Sequence, residues 1–291
     1  MVSDFEAQVR ATNDKINART GRPLVLAIGV GLTLGAALLV SLLIFKELYM
    51  VFAGLLVGFT AFELASALRF AGRDVPRIPT VIAALAVVPA SFYWLATGHW
   101  LVTLAGIAVV TLWRIIETVR PSHRVSPMDL LKDIGAGIFV MVYIGFMAGF
   151  TVLLTAQDGG QYWTLAFLIV VVSVDTGAYA TGVAFGKHKM APVISPGKTW
   201  EGFAGSVGAA VIAGVLLALF MLQQPWWVGV ILGLVIVGTA TAGDLAESLI
   251  KRDLGIKDIS TWLPGHGGFL DRVDSSLLSA AAAYALFLIF T

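Results

Sequence analysis

The chain reads as an all-α protein that crosses a membrane about nine times, with a cytoplasmic N-terminus and an external C-terminus. Three observations predict this. First, 58% of its 291 residues are hydrophobic and only 13% are charged, whereas a soluble domain is nearer half apolar and a quarter charged. Second, stretches of the roughly 20 apolar residues that a spanning helix needs recur along the chain. Third, 17 of the 19 Lys and Arg residues fall in the tail and the loops on one side, leaving Lys46 outside and Arg272 in the last span. Such an excess of positive charge marks the cytoplasmic face.

The elements follow in order. Residues 1–23 mix Asp4, Glu6 and Asp14 with basic residues, which fits a cytoplasmic tail better than a cleaved signal. Spans are predicted at about 24–44, 48–68, 80–97, 100–116, 134–156, 162–186, 203–222, 226–250 and 269–290. The third contains Pro89, and it shares with the fourth a tight turn at Gly98-His99. Arg69, Arg73 and Arg77 fall in one cytoplasmic loop, and Arg114, Arg120, Arg124 and Lys132 in the next. External loops are short, so chemistry with a soluble partner belongs on the cytoplasmic side. The chain divides into about five N-terminal helices (24–156) and a C-terminal region of about four (157–291), whose cytoplasmic loops are 187–202 and 251–268. Trp94, Trp100, Trp163, Trp226 and Trp227 at span ends fit an interfacial belt.

Composition excludes several chemistries. There is no cysteine, hence no disulfide, thiolate zinc site or cysteine nucleophile. The four histidines are scattered, and a net charge of +1 gives no nucleic-acid signal.

Ionisable residues inside spans are costly and face a bundle interior or a water-filled cavity. Here they are Glu63, Asp175, Asp244, Glu247, Asp271, Arg272 and Asp274, all toward the cytoplasmic half. Asp244 is roughly 27 Å along the eighth span at 1.5 Å per residue. Asp244, Glu247, Ser248 and Lys251 recur at i, i+3, i+4 and i+7, one face of a helix. Asp271, Asp274 and Ser275 do the same at the start of the ninth span, so a short loop can bring the two faces together. Carboxylates gathered there repel unless cations sit between them, and hard oxygen ligands suit Mg²⁺. Each acid alone also has a structural explanation, as a helix-dipole partner or in an Asp271–Arg272 or Glu247–Lys251 ion pair.

Two loops are candidate phosphate cradles. In "ISPGKTWEG" the spacing of a P-loop fails, because Pro192 stands where its first glycine is needed and a span replaces the strand. Ser195, Lys198 and Thr199 still sit beside a helix N-terminus. In "LPGHGG", Gly267 and Gly268 leave the backbone bare next to His266. Lys251, Arg252 and Arg272 are placed to neutralise a polyphosphate. Lys257 and Asp258 read as a loop ion pair.

The segment "GDLAESLIKRDLGIKDISTWLPGHGGFLDRVDS" (243–275) resembles the signature of the phosphatidate cytidylyltransferases, or CDP-diacylglycerol synthases. Ser248, Lys251, Arg252, Lys257, Asp258, Pro264, His266, Gly267, Gly268, Asp271, Arg272 and Asp274 carry the pattern. The upstream block "SVDTGAYATGVAFGKHKMAPVISPGKTWEG" (173–202) is similar as well. The resemblance implies that CTP and phosphatidic acid give CDP-diacylglycerol and pyrophosphate, with a divalent metal, Mg²⁺ or Mn²⁺; a second cation, monovalent or divalent, stays open. It implies an enzyme of a bacterial cytoplasmic membrane; a homodimer stays open. On this reading Asp244, Asp271 and Asp274, joined by Asp175, are metal ligands. Lys251 and Arg272 assist catalysis. Lys198, Ser195, Thr199, Arg252, Ser248, His266, Gly267 and Gly268 bind substrate. The alternatives are a CTP-dependent polyprenol kinase and a transporter.

Overall fold

The computed structural model describes residues 24–260, 262 and 267–291. The expectations for the tail, Pro264, Gly265 and His266 fall outside them. The helices are α1 (Leu24–Leu43), α2 (Lys46–Phe70), α3 (Arg77–Tyr93) and α4 (Leu95–Glu117), then α5 (Pro127–Ala156). They continue with α6 (Gly160–Phe185), α7 (Trp200–Phe220), α8 (Trp226–Asp253) and α9 (Leu270–Phe290). Among the described residues, seven helices, α2 and α4 to α9, are long and apolar enough to cross a membrane, and α3 is a shorter apolar helix. Between α6 and α7 the loop forms a hairpin, with β1 (Lys189–Ala191) antiparallel to β2 (Ser195–Thr199).

Local chemistry sets the boundaries. Ser126 caps α5, accepting from the Asp129 amide, and Pro127 takes the first helical position, where a missing N–H costs nothing. Thr199 caps α7 by accepting from the Gly202 amide. α8 ends on Lys251 and Arg252, whose charges oppose its C-terminal dipole. α5 carries a π-helical turn at Met141–Phe146.

Two expectations need correction. The chain does not reverse at Gly98-His99. It turns at Trp94–Leu95, where Leu95 takes a left-handed φ of 52°. Gly98 lies inside α4 and lets that helix pack beneath the Ala90 carbonyl of α3. His99 is buried, with Nδ1 2.9 Å from Ser91 Oγ. Nor is Arg114 a loop residue. It lies on α4 and is fully buried against Asp133 of α5.

The helices share two apolar cores. One joins α2 to α5 around Leu64, Val87, Met141 and Ile144. The other joins α6 to α9 around Phe167, Leu232, Ile236 and Phe287. Large apolar side chains such as Ile82, Leu104, Val172 and Ile212 point outward, as they must where hydrocarbon is the solvent. Lys46 donates to the Gln157 carbonyl at one end of the bundle. At the other end gather Asp74, His123, Asp133, the hairpin and Asp258; this is the end that the pattern of basic residues predicts to be cytoplasmic.

Candidate active site

α8 and α9 cross where one residue has no side chain. A Cβ on Gly243 would lie 2.5 Å from the Asp274 carbonyl oxygen and 3.2 Å from Ser275 Cα, so only glycine fits. The next residue is Asp244. Beyond the crossing, Asp175 from α6, Asp244, Glu247 and Lys251 from α8, Asp258 from the loop, and Asp271, Arg272, Asp274 and Ser275 from α9 enclose a cavity of about 280 Å³.

Lys251 ties the two helices together. Its Nζ donates to Glu247 Oε2 at 2.8 Å and to Asp271 Oδ1 at 2.9 Å. Asp271 Oδ2 accepts from the Gly268 amide at 2.7 Å. That amide is aimed by Gly267, which sits in the left-handed region at φ 82°. Asp274 Oδ1 accepts from the Ser275 amide. Asp244 is held from the other side by Lys198 Nζ at 2.5 Å and by the Ser248 hydroxyl at 3.3 Å.

Two further spaces share lining residues with this cavity. One, of about 330 Å³, lies between α6, α7, α8 and the hairpin and includes Asp175, Ser195, Gly197, Lys198, Thr199 and Asp244. The other is a mostly apolar crevice of about 410 Å³ between α1, α2, α5, α6 and α9. Its polar end is formed by Asp175, Asp271, Arg272 and Asp274.

The predicted residues therefore separate into groups. Asp175, Asp244, Asp271, Asp274, Lys251 and Arg272 line the central cavity. Ser195, Lys198 and Thr199 line its neighbour, although Thr199 also caps α7. Ser248 reaches the site only through Asp244. Arg252 is exposed and donates to the Ile194 carbonyl, pinning the hairpin to the end of α8. Gly267 and Gly268 shape the turn that meets Asp271. The expected Lys257–Asp258 pair does not appear among the described ion pairs, and Asp258 lines the cavity instead.

Sequence reasoning left Glu247 off the site, although its place between Asp244 and Lys251 on one helix face was the signal. It also could not assign Glu63. That carboxylate is buried and accepts from Ser260 Oγ and from the Phe269 and Leu270 amides, so it anchors the start of α9 from α2.

The carboxylates are not drawn into a tight chelate. Among the described residues, the one group of His, Asp or Glu ligand atoms all within 4.8 Å is Asp74, Glu117 and His123. There, Asp74 is already paired with Arg69 at 2.7 Å and faces Arg114 at 3.6 Å, which disfavours a further cation. In the central cavity, ammonium groups stand beside Asp244 and Asp271 instead.

Comparison with known proteins matches this architecture. A phosphatidate cytidylyltransferase of Mycobacterium bovis is 38% identical over 273 residues, 92% of this chain and 89% of that protein. One from Mycobacterium leprae is 36% identical over 280 residues, covering 94% of this chain and 90% of its own length. One from Brucella suis is 40% identical over 197 residues, 67% of each chain. These relatives are bacterial, and with the apolar helices they make this a multi-pass protein of a bacterial cytoplasmic membrane. The model of the cytidylyltransferase family matches residues 25–290, nearly the whole sequence, and the chain belongs to that family.

Proposed function

We propose that the acid-lined cavity is where the α-phosphate of CTP meets the phosphate of phosphatidate. The enzyme transfers a cytidylyl group from CTP to phosphatidate, giving CDP-diacylglycerol and pyrophosphate. One observation carries the placement: Asp175, Asp271, Arg272 and Asp274 belong both to the polar cavity and to the mouth of the apolar crevice. A lipid with an acyl chain in the crevice would present its phosphate to the cavity. The Lys198 space, reached past Asp244, would receive the nucleotide.

The reaction asks little covalent chemistry of the protein. A phosphatidate oxygen, already anionic, attacks the α-phosphorus of CTP in line. The new P–O bond forms as the bond from that phosphorus to the α–β bridging oxygen breaks, and pyrophosphate leaves with the electron pair. Catalysis is then positioning and charge stabilisation. Arg272 makes no ion pair among the described residues, so its guanidinium is available to the lipid phosphate. Lys198 and Lys251 neutralise the triphosphate, and their carboxylate partners hold them in place until it arrives.

The donor set fits a hard divalent cation. Its atoms are carboxylate oxygens, and Glu247 Oε1 is buried with no hydrogen-bond partner. Asp244, Asp271 and Asp274, with Asp175, would hold the ion. When bound, Mg²⁺ or Mn²⁺ would screen the acids from the triphosphate and carry part of the charge developing on pyrophosphate.

The test is pyrophosphate release from CTP by purified enzyme, with phosphatidate and Mg²⁺ present or omitted singly. Pyrophosphate and a nucleotidyl lipid should form only with both. Release of CDP with a phosphorylated lipid would instead identify a kinase.

A further inference from the structure

A groove of about 640 Å³ lies between α3 and α4 and shares no lining residue with the three spaces of the site. One face of each helix forms it. Ile78, Ile82 and Ala86 recur every fourth residue on α3, and Val102, Ala105 and Val109 share a face of α4. Ile78, Ile82 and Val109 are at least 50% exposed, so the groove opens toward hydrocarbon. Along α4 it runs from Val102 to Trp113, roughly 17 Å at 1.5 Å per residue. That is about the depth of one leaflet of a roughly 30 Å hydrocarbon core.

The end predicted to be cytoplasmic is charged. Arg69, Arg77 and Glu117 line it, with Trp113 beside them. Arg69 is paired with Asp74 at 2.7 Å. Glu117 Oε1 accepts from Trp113 Nε1 at 2.9 Å, and Glu117 Oε2 is buried. Arg77 is exposed and makes no ion pair among the described residues; its guanidinium lies over the Phe62 ring, 5.6 Å from the centroid. Arg77 is also the first residue of α3. The first amides of a helix lack partners within it, and such an end favours an anion. An apolar slot of one leaflet's depth thus ends at a guanidinium without an acid partner.

We propose that this groove holds an anionic glycerophospholipid of the bilayer, one acyl chain between α3 and α4 and its phosphate on Arg77 and the start of α3. The acids and lysines of the active site are not among the lining residues, so the lipid is held here and not turned over.

Native mass spectrometry of the full-length protein in detergent, titrated with phosphatidylglycerol or with phosphatidylcholine of the same chains, tests this. Wild type should retain phosphatidylglycerol in preference. Arg77→Gln should weaken its retention roughly tenfold, the scale of a lost hydrogen bond to a charged group, and bring it to the level of phosphatidylcholine. Ala105→Phe fills the groove from an exposed position and should lose both lipids, with thermal unfolding near wild type. Arg272→Gln, in the other crevice, should leave this lipid in place. Equal retention of the two lipids by wild type, or unchanged retention in Arg77→Gln, overturns the proposal. So does an equal loss in Arg272→Gln, which would place the lipid in the active-site crevice. A lipid-free dimer that Ala105→Phe splits into monomers would overturn it too, giving the groove to a second copy of the chain.

Discussion

Two clusters of charge lie at the same end of the bundle, and they are built in opposite ways. Between α2, α4 and α5, Arg114 donates to Asp133 Oδ2 at 2.7 Å and to the His123 carbonyl at 3.2 Å. Asp133 also accepts from the Asp74 amide at 3.0 Å. Arg114 and Asp133 are both buried, and each anion has a guanidinium beside it. Between α6, α8, α9 and the loop before α9, six carboxylates outnumber two cations, Lys251 and Arg272, and surround an open space of about 280 Å³. The first cluster is closed and locks helices together. The second leaves a cavity, the space in which we place the two substrate phosphates and the cation. Charge balance and open volume distinguish them.

The largest expected effect separates catalysis from folding. Asp271→Asn keeps an oxygen for the Gly268 amide and removes the charge. Turnover should fall by about 10²–10³ or more, the scale of losing a charge-stabilising group, with expression and thermal unfolding near wild type. Pyrophosphate release and a melting curve on one preparation check both halves. Full activity would remove Asp271 from the site.

Arg114→Ala should do the reverse. It leaves Asp133 buried and unpaired, at a cost of about 3–5 kcal/mol. Folded protein should become scarce, while the activity of each folded molecule stays close to wild type. Replacing both partners with Arg114→Met and Asp133→Leu should recover much of the stability. Thermal unfolding in detergent reads both effects, and failure of the double variant to recover would show that Arg114 matters beyond its partner.

The two clusters also differ in how far the sequence reveals them. The acid faces of α8 and α9 were legible because Asp244–Glu247–Lys251 and Asp271–Asp274 repeat at helical spacing inside apolar runs. Membrane solvation makes such charges conspicuous, and this is also why the seven long apolar helices could be read directly. The Arg114–Asp133 lock was not legible. Its members sit at span ends, where a positive charge looks like an ordinary cytoplasmic residue, and only folding shows that they are buried together. The α3–α4 reversal was misplaced for a related reason: Gly98 looks like a turn but serves a close helix contact, while Leu95, with no turn signal, takes the left-handed conformation. Glu63 depends on contacts between distant segments that no local pattern encodes.

A smaller effect tests the crossing that assembles the open cluster. Gly243→Ala puts a methyl against the Asp274 carbonyl, and overpacking of this kind costs about 1–3 kcal/mol. The same displacement moves Asp244 away from Asp274, so activity should drop more than stability. If kcat is retained, the cavity tolerates a wider α8–α9 spacing than this geometry implies.

The smallest effect belongs to the rim of the closed cluster. Partial burial pushes the Asp74 carboxyl up, but the hydrogen bond with His123, 2.6 Å away, and the charges of Arg69 and Arg114 outweigh it. The carboxyl therefore titrates below its ordinary value in the folded protein. A depressed folded pKa means that Asp74 adds stability above its unfolded value of about 3.9, and that this is lost as pH falls through the folded value. Wild type should accordingly melt above Asp74→Asn at neutral pH, with the gap closing below about pH 4. The gap should be modest because the pair is open to solvent and screened. A gap that stays constant with pH would mean that Asp74 contributes only through its shape and backbone, leaving Arg114 and Asp133 to hold the lock alone.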